Sequence, residues 1–330
     1  MHAIVLAGGK GTRLRPLTDT RPKPLLPFVG APFAAGLLRR LRTAGCDRAT
    51  FLVGAQAKPF APLERLGSAM GVPVTVVCEP QPLDTAGACR DLLRAGESGP
   101  VLVCNGDILT DLDYAAVVAR HSEAGATATL VLTRVADTSS FGVVECDRHG
   151  RIHRFVEKPP PGTVAADTIN AGTYVLAPDV FDGFGHDGPL SFERAVFPGL
   201  LEAGALLTGY ASDSYWLDLG TPQRYLEGHR VVLSGRCAWP VDDAYATHAQ
   251  TVLRHVDAAI SPGAAVGPDV VVGPDSRVEA GAHVAGSVLF EGVVVGAGAR
   301  VCNAVLAEGA RVRAGVTICD TVVAAGTTVA

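Results

Sequence analysis

A repeat of about six residues governs the last part of the chain. Glycine, alanine and proline fill most positions between apolar side chains that recur in steps of six, with an occasional five: Ile260, Val266, Val272, Val278, Val284, Phe290, Val295, Val301, Leu306, Val312, Ile318, Val323 and Val329. One inward side chain per six residues, with a sharp turn after each short strand, is typical of a parallel β-helix. A β-sandwich would instead need apolar residues at every second position. We predict roughly four coils of three strands each.

A different pattern fills the first part of the chain, where short apolar runs alternate with amphipathic stretches. The runs predict strands at 3–6, 50–53, 74–77, 101–103 and 129–132, and the stretches predict helices at 33–44, 59–70, 86–95 and 114–124. This alternation is typical of a mostly parallel sheet covered by helices on both faces.

From Phe141 onward the pattern predicts an antiparallel hairpin, with strands at 143–145 and 152–156. Thr221 and Pro222 then supply an N-cap and a proline at the first helical position of a helix that ends near Leu233. Residues 234–255 show no strong period. We therefore predict a catalytic domain over 1–233, a linker over 234–255 and a β-helix over 256–330.

Composition excludes several functional classes. With 48% hydrophobic residues, 18% charged residues and a net charge of -5, the chain fits neither a disordered protein nor a polybasic binder of nucleic acid or membranes. No apolar run approaches the ~20 residues of a membrane helix, and Met1 to Ala7 is too short for a signal sequence. The eight cysteines show no C-x-x-C spacing, which predicts reduced thiols in a cytoplasmic protein.

A glycine-rich turn follows the first predicted strand. It reads Gly8-Gly9-Lys10-Gly11-Thr12-Arg13 and continues to Arg21-Pro22-Lys23-Pro24. Glycines let backbone N–H groups approach a phosphate closely, and Arg13 and Lys23 can neutralise its charge. The string matches neither a Walker P-loop nor a dinucleotide-binding fingerprint.

Two acidic residues follow short hydrophobic runs. Asp107 ends the string Cys104-Asn105-Gly106-Asp107, and Asp218 lies in Trp216-Leu217-Asp218. A carboxylate beyond the carboxyl end of a strand lies where open α/β sheets bind ligands. Such a residue suits Mg²⁺, which takes one or two carboxylates together with phosphate oxygens.

Together these motifs resemble the sugar-phosphate nucleotidyltransferases, also called NDP-sugar pyrophosphorylases. The resemblance covers nearly the whole chain and rests on these segments in order: 8–27, 83–88, 105–107, 141–145, 155–159, 170–172 and 216–222. It is strongest to the members that end in a left-handed β-helix. The implied fold is α/β, a Rossmann-like mixed sheet followed by a left-handed parallel β-helix of hexapeptide repeats.

The resemblance implies transfer of a nucleotidyl group from an NTP to a sugar 1-phosphate, with Mg²⁺ as cofactor. It assigns catalysis to Arg13 and Lys23 and the metal to Asp107 and Asp218. The implied nucleotide-binding residues are Leu6, Gly8, Gly9, Gly11, Thr12, Asp84, Thr85, Gly87 and Gly106. The implied sugar-phosphate-binding residues are Gly142, Glu157, Lys158 and Asn170. GTP and mannose 1-phosphate are the expected substrates, with glucose 1-phosphate or a cyclitol phosphate and another NTP as alternatives.

One departure from the family pattern concerns the base. The family usually has glycine where this chain has Asp84, in Leu83-Asp84-Thr85-Ala86-Gly87. The Asp84 carboxylate could accept hydrogen bonds from guanine, or it could cap the following helix.

Two further alternatives are a non-catalytic regulatory family member and an added acyltransferase activity in the β-helix. The presence of Arg13, Lys23, Asp107 and Asp218 argues against the first, and the small number of coils argues against the second. Because the ends of a solenoid expose unpaired edges, we also expect a homo-oligomer formed through the β-helix or the catalytic domain.

Lysine is rare in this chain. Of the 28 lysine and arginine residues only four are lysines, namely Lys10, Lys23, Lys58 and Lys158. Three of the four lie in the motifs that the resemblance assigns to phosphate, which predicts that Lys23 and Lys158 cannot be replaced by arginine without loss.

Overall fold

The computed structural model describes residues 1–79, 81–160, 163–164 and 166–330. By their contacts these residues divide into two units. The first unit comprises Met1–Gly9, Leu37–Ile108 and Leu112–Trp216, and the second comprises Lys10–Gly36, Leu109–Asp111 and Leu217–Ala330.

The strands that precede the last helix are short. They are β1 His2–Ala7, β2 Pro27–Phe28, β3 Ala31–Pro32, β4 Arg48–Val53, β5 Val74–Cys78, β6 Val101–Asn105, β7 Ile108–Thr110, β8 Ala128–Arg134, β9 Gly142–Cys146, β10 Ile152–Glu157, β11 Thr168–Leu176, β12 Leu207–Ala211 and β13 Trp216–Asp218. The helices are α1 Phe33–Thr43, α2 Pro62–Met70, α3 Asp84–Arg94, α4 Tyr114–Ala124, α5 Phe197–Glu202 and α6 Pro222–Leu233. A π-helical turn, Phe192–Val196, precedes α5, and 3₁₀ turns lie at Thr12–Leu14, Leu17–Asp19, Lys23–Leu25 and Lys58–Phe60.

The first unit is built on a mixed sheet. Its main path runs β10-β9-β11-β6-β1-β4-β5, and β8 pairs with β11 and with β12. Strand β1 is parallel to β4 and β6, and β4 is parallel to β5. Strand β11 is antiparallel to β6, β8 and β9. The predicted mixed α/β sheet is therefore confirmed.

Strand β1 shows why this sheet is apolar along its length. The parallel neighbours β4 and β6 flank it, and the side chains from Ala3 to Val5 are fully buried. A strand covered on both faces has no solvent side, so its residues do not alternate between apolar and polar.

Helix positions agree with prediction to within a few residues. Helix α4 has the predicted bounds, and the Asp113 side chain caps it by accepting from the N–H groups of Ala115 and Ala116. Helix α2 begins at Pro62 rather than at 59, because a 3₁₀ turn occupies Lys58–Phe60 before it. Helix α6 begins at Pro222, with the Thr221 hydroxyl accepting from the N–H of Arg224 as predicted.

The second unit contains the β-helix. Its strands are β14 Tyr245–Ala249, β15 Val252–His255, β16 Ala259–Ile260, β17 Ala265–Val266, β18 Val270–Val272, β19 Arg277–Val278, β20 His283–Ala285, β21 Val288–Leu289, β22 Val294–Val295, β23 Arg300–Cys302, β24 Val305–Leu306, β25 Arg311–Val312, β26 Thr317–Cys319, β27 Val322–Val323 and β28 Thr328–Val329. They form three stacked sheets, β14-β15-β18-β21-β24-β27, β16-β19-β22-β25-β28 and β17-β20-β23-β26. From β15 onward this amounts to four full coils and two further strands, close to the predicted number.

The register explains the broken period of six. Val294 pairs with Arg311, and Arg311 pairs with Thr328, so each of these coils advances by 17 residues. Two steps of six and one of five give this length. The interior is filled by small and branched apolar side chains, among them Val278, Val295 and Val312.

Phe290 departs from the predicted interior pattern. Leu289 occupies the coil interior at this level, whereas the ring of Phe290 is buried against Tyr225 of α6, with 6.5 Å between ring centroids. The five-residue step falls earlier here than the apolar pattern indicated.

The segment predicted as a linker contains a hairpin. Strands β14 and β15 pair antiparallel, and β15 then pairs in parallel with β18 as the first strand of its solenoid face. The weak period of this segment did not indicate either strand.

All eight cysteines are free, as predicted. Burial raises the pKa of Cys46 and Cys146 to about 11, which keeps both thiols protonated at neutral pH. No helix in the described part of the chain is long and apolar enough to cross a membrane.

His229 predicts an acid-sensitive stability. It is fully buried, and desolvation lowers its pKa to about 4, against the usual 6.5. Between these values the unfolded chain binds a proton that the folded chain does not, so stability falls as the pH falls. We expect His229 to cost about 3 kcal/mol of unfolding free energy between pH 7 and pH 4.

Urea unfolding, followed by tryptophan fluorescence across this pH range, measures the effect. The variant His229→Gln is expected to lose correspondingly less stability on acidification. The lowered pKa of His121 acts in the same direction but is common to both proteins. Parallel pH profiles for the two proteins would contradict the assignment to His229.

Candidate functional site

Four parallel strands of the first unit end at one edge of the sheet, where open α/β sheets bind ligands. Gly8 follows β1 there. A Cβ built on Gly8 would lie 3.8 Å from the Gly54 nitrogen, after β4, and 3.9 Å from Oε1 of Glu79, after β5. Gly106, after β6, donates its N–H to the carbonyl of Leu6 over 2.9 Å. The structure thus brings Leu6, Gly8 and Gly106 together, as expected of a nucleotide-binding edge.

Glycine is favoured for different reasons at Gly106 and Gly9, two positions of this edge. A Cβ on Gly106 would lie 3.0 Å from a methyl of Val5 and 3.2 Å from the Leu6 carbonyl oxygen, so close packing disfavours a side chain there. A Cβ on Gly9 would meet no described atom within 4 Å. The fold itself therefore gives no steric reason for glycine at Gly9, whereas a ligand lying against this backbone would.

Glu79 is a residue of this edge that the sequence analysis missed. It lies just beyond β5, and its Oε2 accepts the N–H of Leu83 over 3.2 Å. Partial burial raises the pKa of its carboxyl. A carboxylate directly after a predicted strand was the available signal, since the same reasoning found Asp107.

Asp84 adopts the left-handed conformation, with φ of 61°. This region favours glycine, the residue usual at this position in the family. Its carboxylate is already engaged, because Oδ1 accepts the N–H of Thr85 over 2.8 Å and Oδ2 pairs with the guanidinium of Arg194. A hydrogen bond from Asp84 to a base would have to compete with Arg194.

Thr85 and Gly87 have local structural roles. The Thr85 hydroxyl donates to Glu193 over 2.7 Å and accepts the N–H of Phe192 over 2.9 Å, which ties α3 to the π-helical turn. A Cβ on Gly87 would lie 2.8 Å from that of Leu83 and 3.3 Å from the Gly188 oxygen, so packing requires glycine. Their assignment to nucleotide binding stays a prediction.

The residues assigned to the sugar phosphate lie on adjacent strands. Gly142 of β9 is the register partner of Glu157 of β10, and Ile169 of β11 pairs with Val143, which places Asn170 beside them. A Cβ on Gly142 would lie 3.0 Å from Oε2 of Glu157. Gly142, Glu157 and Asn170 are therefore brought together.

Lys158 adopts φ of 47° and donates its N–H to the Phe141 carbonyl over 3.0 Å. Its ammonium lies 3.2 Å from Oε1 of Glu157, and its side chain is 63% exposed. Lys158 is thus an exposed surface cation beside Glu157, one of the residues predicted to bind the sugar phosphate.

An aromatic pair lies beside these strands. The rings of Phe141 and Trp216 meet edge to face at 5.5 Å, and Trp216 Nε1 donates to the Ala171 carbonyl over 2.9 Å. Gly172 has φ of 72°, and a Cβ there would collide with the side-chain amide of Asn105. The Asn170-Ala171-Gly172 motif therefore connects β11 with β6 and with Trp216.

Asp107 lies two residues beyond the end of β6 and is half-buried. It follows Gly106 at the same edge of the first unit, as the sequence predicted.

Asp218, at the end of β13 in the second unit, is surrounded by three cations. Its carboxylate oxygens lie 3.6 Å from Lys23 Nζ, 3.6 Å from Arg224 Nη1 and 3.9 Å from Arg13 Nη2. The three side chains carry three positive charges against one negative charge. We call Asp218, Lys23, Arg13 and Arg224 the cation cluster.

The members of the cation cluster differ in exposure. The Lys23 side chain is 12% exposed and that of Asp218 19%, whereas that of Arg13 is 69% exposed. Water screens an exposed charge strongly and a buried one weakly. Water therefore screens the charge of Lys23 least, so Lys23 would interact most strongly with a bound anion.

Arg224 was missed by the sequence analysis. It lies in the first turn of α6, where its N–H donates to the Thr221 hydroxyl over 3.3 Å. The capping motif that predicted α6 places the arginine beside Asp218, but no local signal indicated that contact.

Because Gly220 has no side chain, Arg13 and Asp218 of the cation cluster can both lie against its backbone. A Cβ there would lie 2.8 Å from Arg13 Nη2 and 2.9 Å from Asp218 Oδ1.

From Lys10 onward the glycine-rich turn lies in the same unit. Gly11 adopts φ of 61°, and the Thr18 hydroxyl donates to its carbonyl over 2.8 Å. Thr12 is exposed at the start of the 3₁₀ turn that carries Arg13.

The cation cluster has one feature that suits a metal. Asp218 Oδ1 is buried and accepts no hydrogen bond from the described residues. The part of the chain that the structure describes holds no group of three or more His, Cys, Asp or Glu side chains arranged for a metal. A single carboxylate with a spare oxygen fits Mg²⁺, which takes much of its coordination from water and substrate phosphates.

Comparison with known proteins agrees with this geometry. The family model for Nucleotidyl transferase matches residues 2–235, and the GMPPB C-terminal domain model matches residues 248–330. Mannose-1-phosphate guanylyltransferase of Mycobacterium tuberculosis (strain ATCC 25618 / H37Rv) is 38% identical over 300 residues, which cover 89% of this chain and 81% of that protein.

Two further similarities extend this result. The mannose-1-phosphate guanylyltransferase catalytic subunit beta of Drosophila melanogaster is 36% identical over 71% of this chain and 63% of its own length. The crystal structure of HddC from Yersinia pseudotuberculosis complexed with GMP-PN has a TM-score of 0.58 at 26% identity, over 69% of this chain and 97% of that one. The chain therefore belongs to the nucleotidyl transferase family of enzymes, with a C-terminal domain of the GMPPB type.

Proposed function

We propose that this enzyme transfers a guanylyl group from GTP to mannose 1-phosphate, giving GDP-mannose and pyrophosphate. The cation cluster around Asp218 is the observation that carries the nucleotidyl transfer. Similarity to proteins named mannose-1-phosphate guanylyltransferase, at 36% and 38% identity, supports the choice of base and sugar.

The chemistry needs positioning and charge more than proton transfer. An oxygen of the sugar phosphate, already anionic at neutral pH, attacks the α-phosphorus of GTP, and the bond from that phosphorus to the β-phosphate bridging oxygen breaks. Pyrophosphate leaves with the electron pair of that bond. No general base is required, so catalysis reduces to in-line alignment and stabilisation of negative charge.

The cation cluster fits this task. Its excess of two positive charges favours a polyphosphate, and its low exposure at Lys23 keeps that charge effective. We assign the stabilisation of charge at the α-phosphate and on pyrophosphate to Lys23 and Arg13, with Arg224 as an additional cation.

Mg²⁺ is the proposed cofactor, with Asp218 and Asp107 as its ligands. When bound, it would neutralise charge on the phosphate oxygens. Three cations near Asp218 disfavour a lone divalent ion, so we expect the metal to bind together with nucleotide rather than before it.

The sugar side of the proposal rests on β9, β10 and β11. Glu157 and Asn170 are assigned to the sugar hydroxyls and Lys158 to the sugar phosphate. Asn170 donates from Nδ2 to Tyr174 over 2.7 Å and accepts from the Gly172 N–H over 3.0 Å, which fixes its amide orientation. One Nδ2–H of Asn170 remains to donate to a sugar hydroxyl.

A screen of pyrophosphate release tests this proposal. Each of GTP, ATP, UTP and dTTP is combined with mannose 1-phosphate, glucose 1-phosphate and a cyclitol 1-phosphate at saturating Mg²⁺. We expect the highest kcat/KM for GTP with mannose 1-phosphate. A higher kcat/KM for glucose 1-phosphate or the cyclitol 1-phosphate would make that compound the substrate in place of mannose 1-phosphate. No pyrophosphate release with any pair would favour a non-catalytic role.

Asp84→Gly tests how the base is read. Glycine adopts a φ of 61° without strain, so the variant is expected to fold normally. Because Arg194 already holds the carboxylate, we expect Asp84→Gly to keep the preference for GTP over dTTP, UTP and ATP. A lost preference, measured as the ratio of kcat/KM values, would instead assign guanine recognition to Asp84.

The cellular setting follows the same reasoning. Eight free cysteines support a reducing compartment, and we propose the cytoplasm, where NTPs are made. The homo-oligomer expected from the exposed solenoid edges stays a prediction.

A further inference from the structure

A cavity of about 150 Å³ is lined by residues of the second unit, and none of the residues assigned to the proposed reaction is among them. Its walls come from the loop that carries β2 and β3, from α6, from β14 and from the outer face of the β-helix. The lining residues that matter here are Arg21, Gly30, His229, Tyr245, Glu291 and Glu308. None of them belongs to the cation cluster or to the predicted sugar site.

His229 gives the cavity a defined chemical demand. Its Nδ1 lies 2.9 Å from the Tyr225 carbonyl oxygen, which can only accept, so Nδ1 carries the proton. Burial lowers the pKa of His229 and keeps the ring neutral. Nε2 is therefore an acceptor, and no described residue donates to it although it is fully buried. An unsatisfied buried acceptor is costly, and a hydroxyl donor would satisfy it. His229 lines the cavity, but Nε2 itself has almost no accessible surface, so a ligand hydroxyl would reach it through a small rotation of the ring.

The charged groups of the wall largely cancel. Arg21 pairs with Glu308, and Glu291 is exposed at the rim. The Tyr245 ring packs on Gly30, where a Cβ would lie 2.7 Å from the ring, so the phenol is held at the wall. The remaining surface is apolar, with Val271 and Val288 stacked on the outer face of the coils and Phe290 beside them.

Size and chemistry together select a ligand class. A cavity of about 150 Å³ offers on the order of ten times the volume that one water needs, which suits about ten non-hydrogen atoms. Apolar walls suit the C–H face of a ring, and the acceptor and the ion pair suit its hydroxyl groups. A neutral ring satisfies both demands better than an anion, which the carboxylates of Glu291 and Glu308 would repel.

We propose that this cavity is a second ligand site, which binds a small neutral polyhydroxylated ring of monosaccharide or cyclitol size. His229 accepts a hydroxyl proton, the Arg21–Glu308 pair offers a donor and an acceptor, and the valine and phenylalanine side chains cover the ring face. The site goes beyond the proposed function, because no residue of the transfer reaction lines it.

Ligand-detected NMR on the full chain, without nucleotide or sugar phosphate, tests the proposal. The probes are D-mannose, D-glucose and myo-inositol, with putrescine as a cationic comparison. We expect saturable binding of at least one ring. His229→Leu, which keeps an apolar side chain but removes the acceptor, is expected to weaken that binding about tenfold. Ala31→Leu narrows the cavity from another wall and is expected to weaken it as well.

Two controls separate this site from the predicted sugar site. Glu157→Gln and Lys23→Ala, which change the proposed reaction, are expected to leave ring binding unchanged, and thermal melts establish that each variant is folded. Ring binding that Glu157→Gln removes and His229→Leu keeps would overturn the proposal. So would putrescine binding in place of the rings, or no saturable signal from any ring, in which case the cavity holds water only.

Discussion

Lys23→Arg is expected to lower kcat on the order of 100-fold, although it conserves charge. Lys23 Nζ lies 3.6 Å from Asp218, and its side chain is only 12% exposed. A planar guanidinium is wider than an ammonium and cannot occupy this enclosed position without displacing Asp218 or a neighbouring cation. Steady-state pyrophosphate release with GTP and mannose 1-phosphate measures the loss.

Lys58 provides a matched control for Lys23→Arg, and Lys158 provides a comparison at the sugar phosphate. Lys58→Arg lies on an exposed 3₁₀ turn outside every proposed motif and is expected to behave like the parent. Lys158→Arg is expected to raise the KM for the sugar phosphate more than it lowers kcat, because its side chain is 63% exposed and has room to adjust. If Lys23→Arg had the kinetics of the parent enzyme, lysine would not be required at this position, and its scarcity elsewhere in the chain would carry no functional meaning.

Asp218→Asn is expected to have the largest effect, a fall in kcat/KM on the order of 100- to 1,000-fold. The substitution keeps the shape of the side chain but leaves Lys23, Arg13 and Arg224 without their common counter-charge. The three cations then repel one another, and a proposed metal ligand is lost. A titration of activity against Mg²⁺ concentration, together with a thermal melt, measures both consequences.

Asp213→Asn is the control for this variant, because Asp213 is exposed in the same part of the chain and has no proposed role. It is expected to keep parent activity. Asp107→Asn is expected to raise the Mg²⁺ requirement in the same direction as Asp218→Asn. Near-normal turnover of both acidic-site variants at saturating Mg²⁺ would refute the metal assignment.

Local pattern predicted the parts of this fold that local sequence determines. The six-residue period gave the β-helix, because each coil contacts mainly its neighbours and repeats its chemistry. Apolar runs located β1, β4, β5, β6 and β8, because these strands lie inside a covered sheet. Capping residues located α6, because the Thr221 hydroxyl acts within one turn.

Strand β11, the longest of the first unit, was not predicted. Its sequence includes Asn170 and Gly172, and its register against β8 shifts between Asn170 and Tyr174. Gly172 adopts a positive φ to make room for Asn105. Contacts with β6 and β8, distant in sequence, hold the irregular strand in the sheet, and they override its weak local preference.

The site shows the same division. Glycines and lysines in motifs predicted the phosphate-binding segments, but the partners that these residues contact are distant in sequence. Arg194 reaches Asp84 across 110 residues, and Arg224 lies about 200 residues beyond Lys23. A single sequence carries no signal for such pairs, so the engagement of Asp84 was visible only in the structure.

The 17-residue register of the later solenoid coils makes the length of the β-helix adjustable in whole coils. Removing residues 311–327 would join Ala310 to Thr328, which is the register partner of Arg311. Strand β28 would then take the place of β25 and pair with β22 in the same register. A deletion of six residues, 311–316, would instead bring Thr317 into the place of Arg311, so that a strand of one solenoid face would have to pair on another face. The β-helix is thus a modular extension that evolution can lengthen or shorten coil by coil while the rest of the enzyme keeps its sequence.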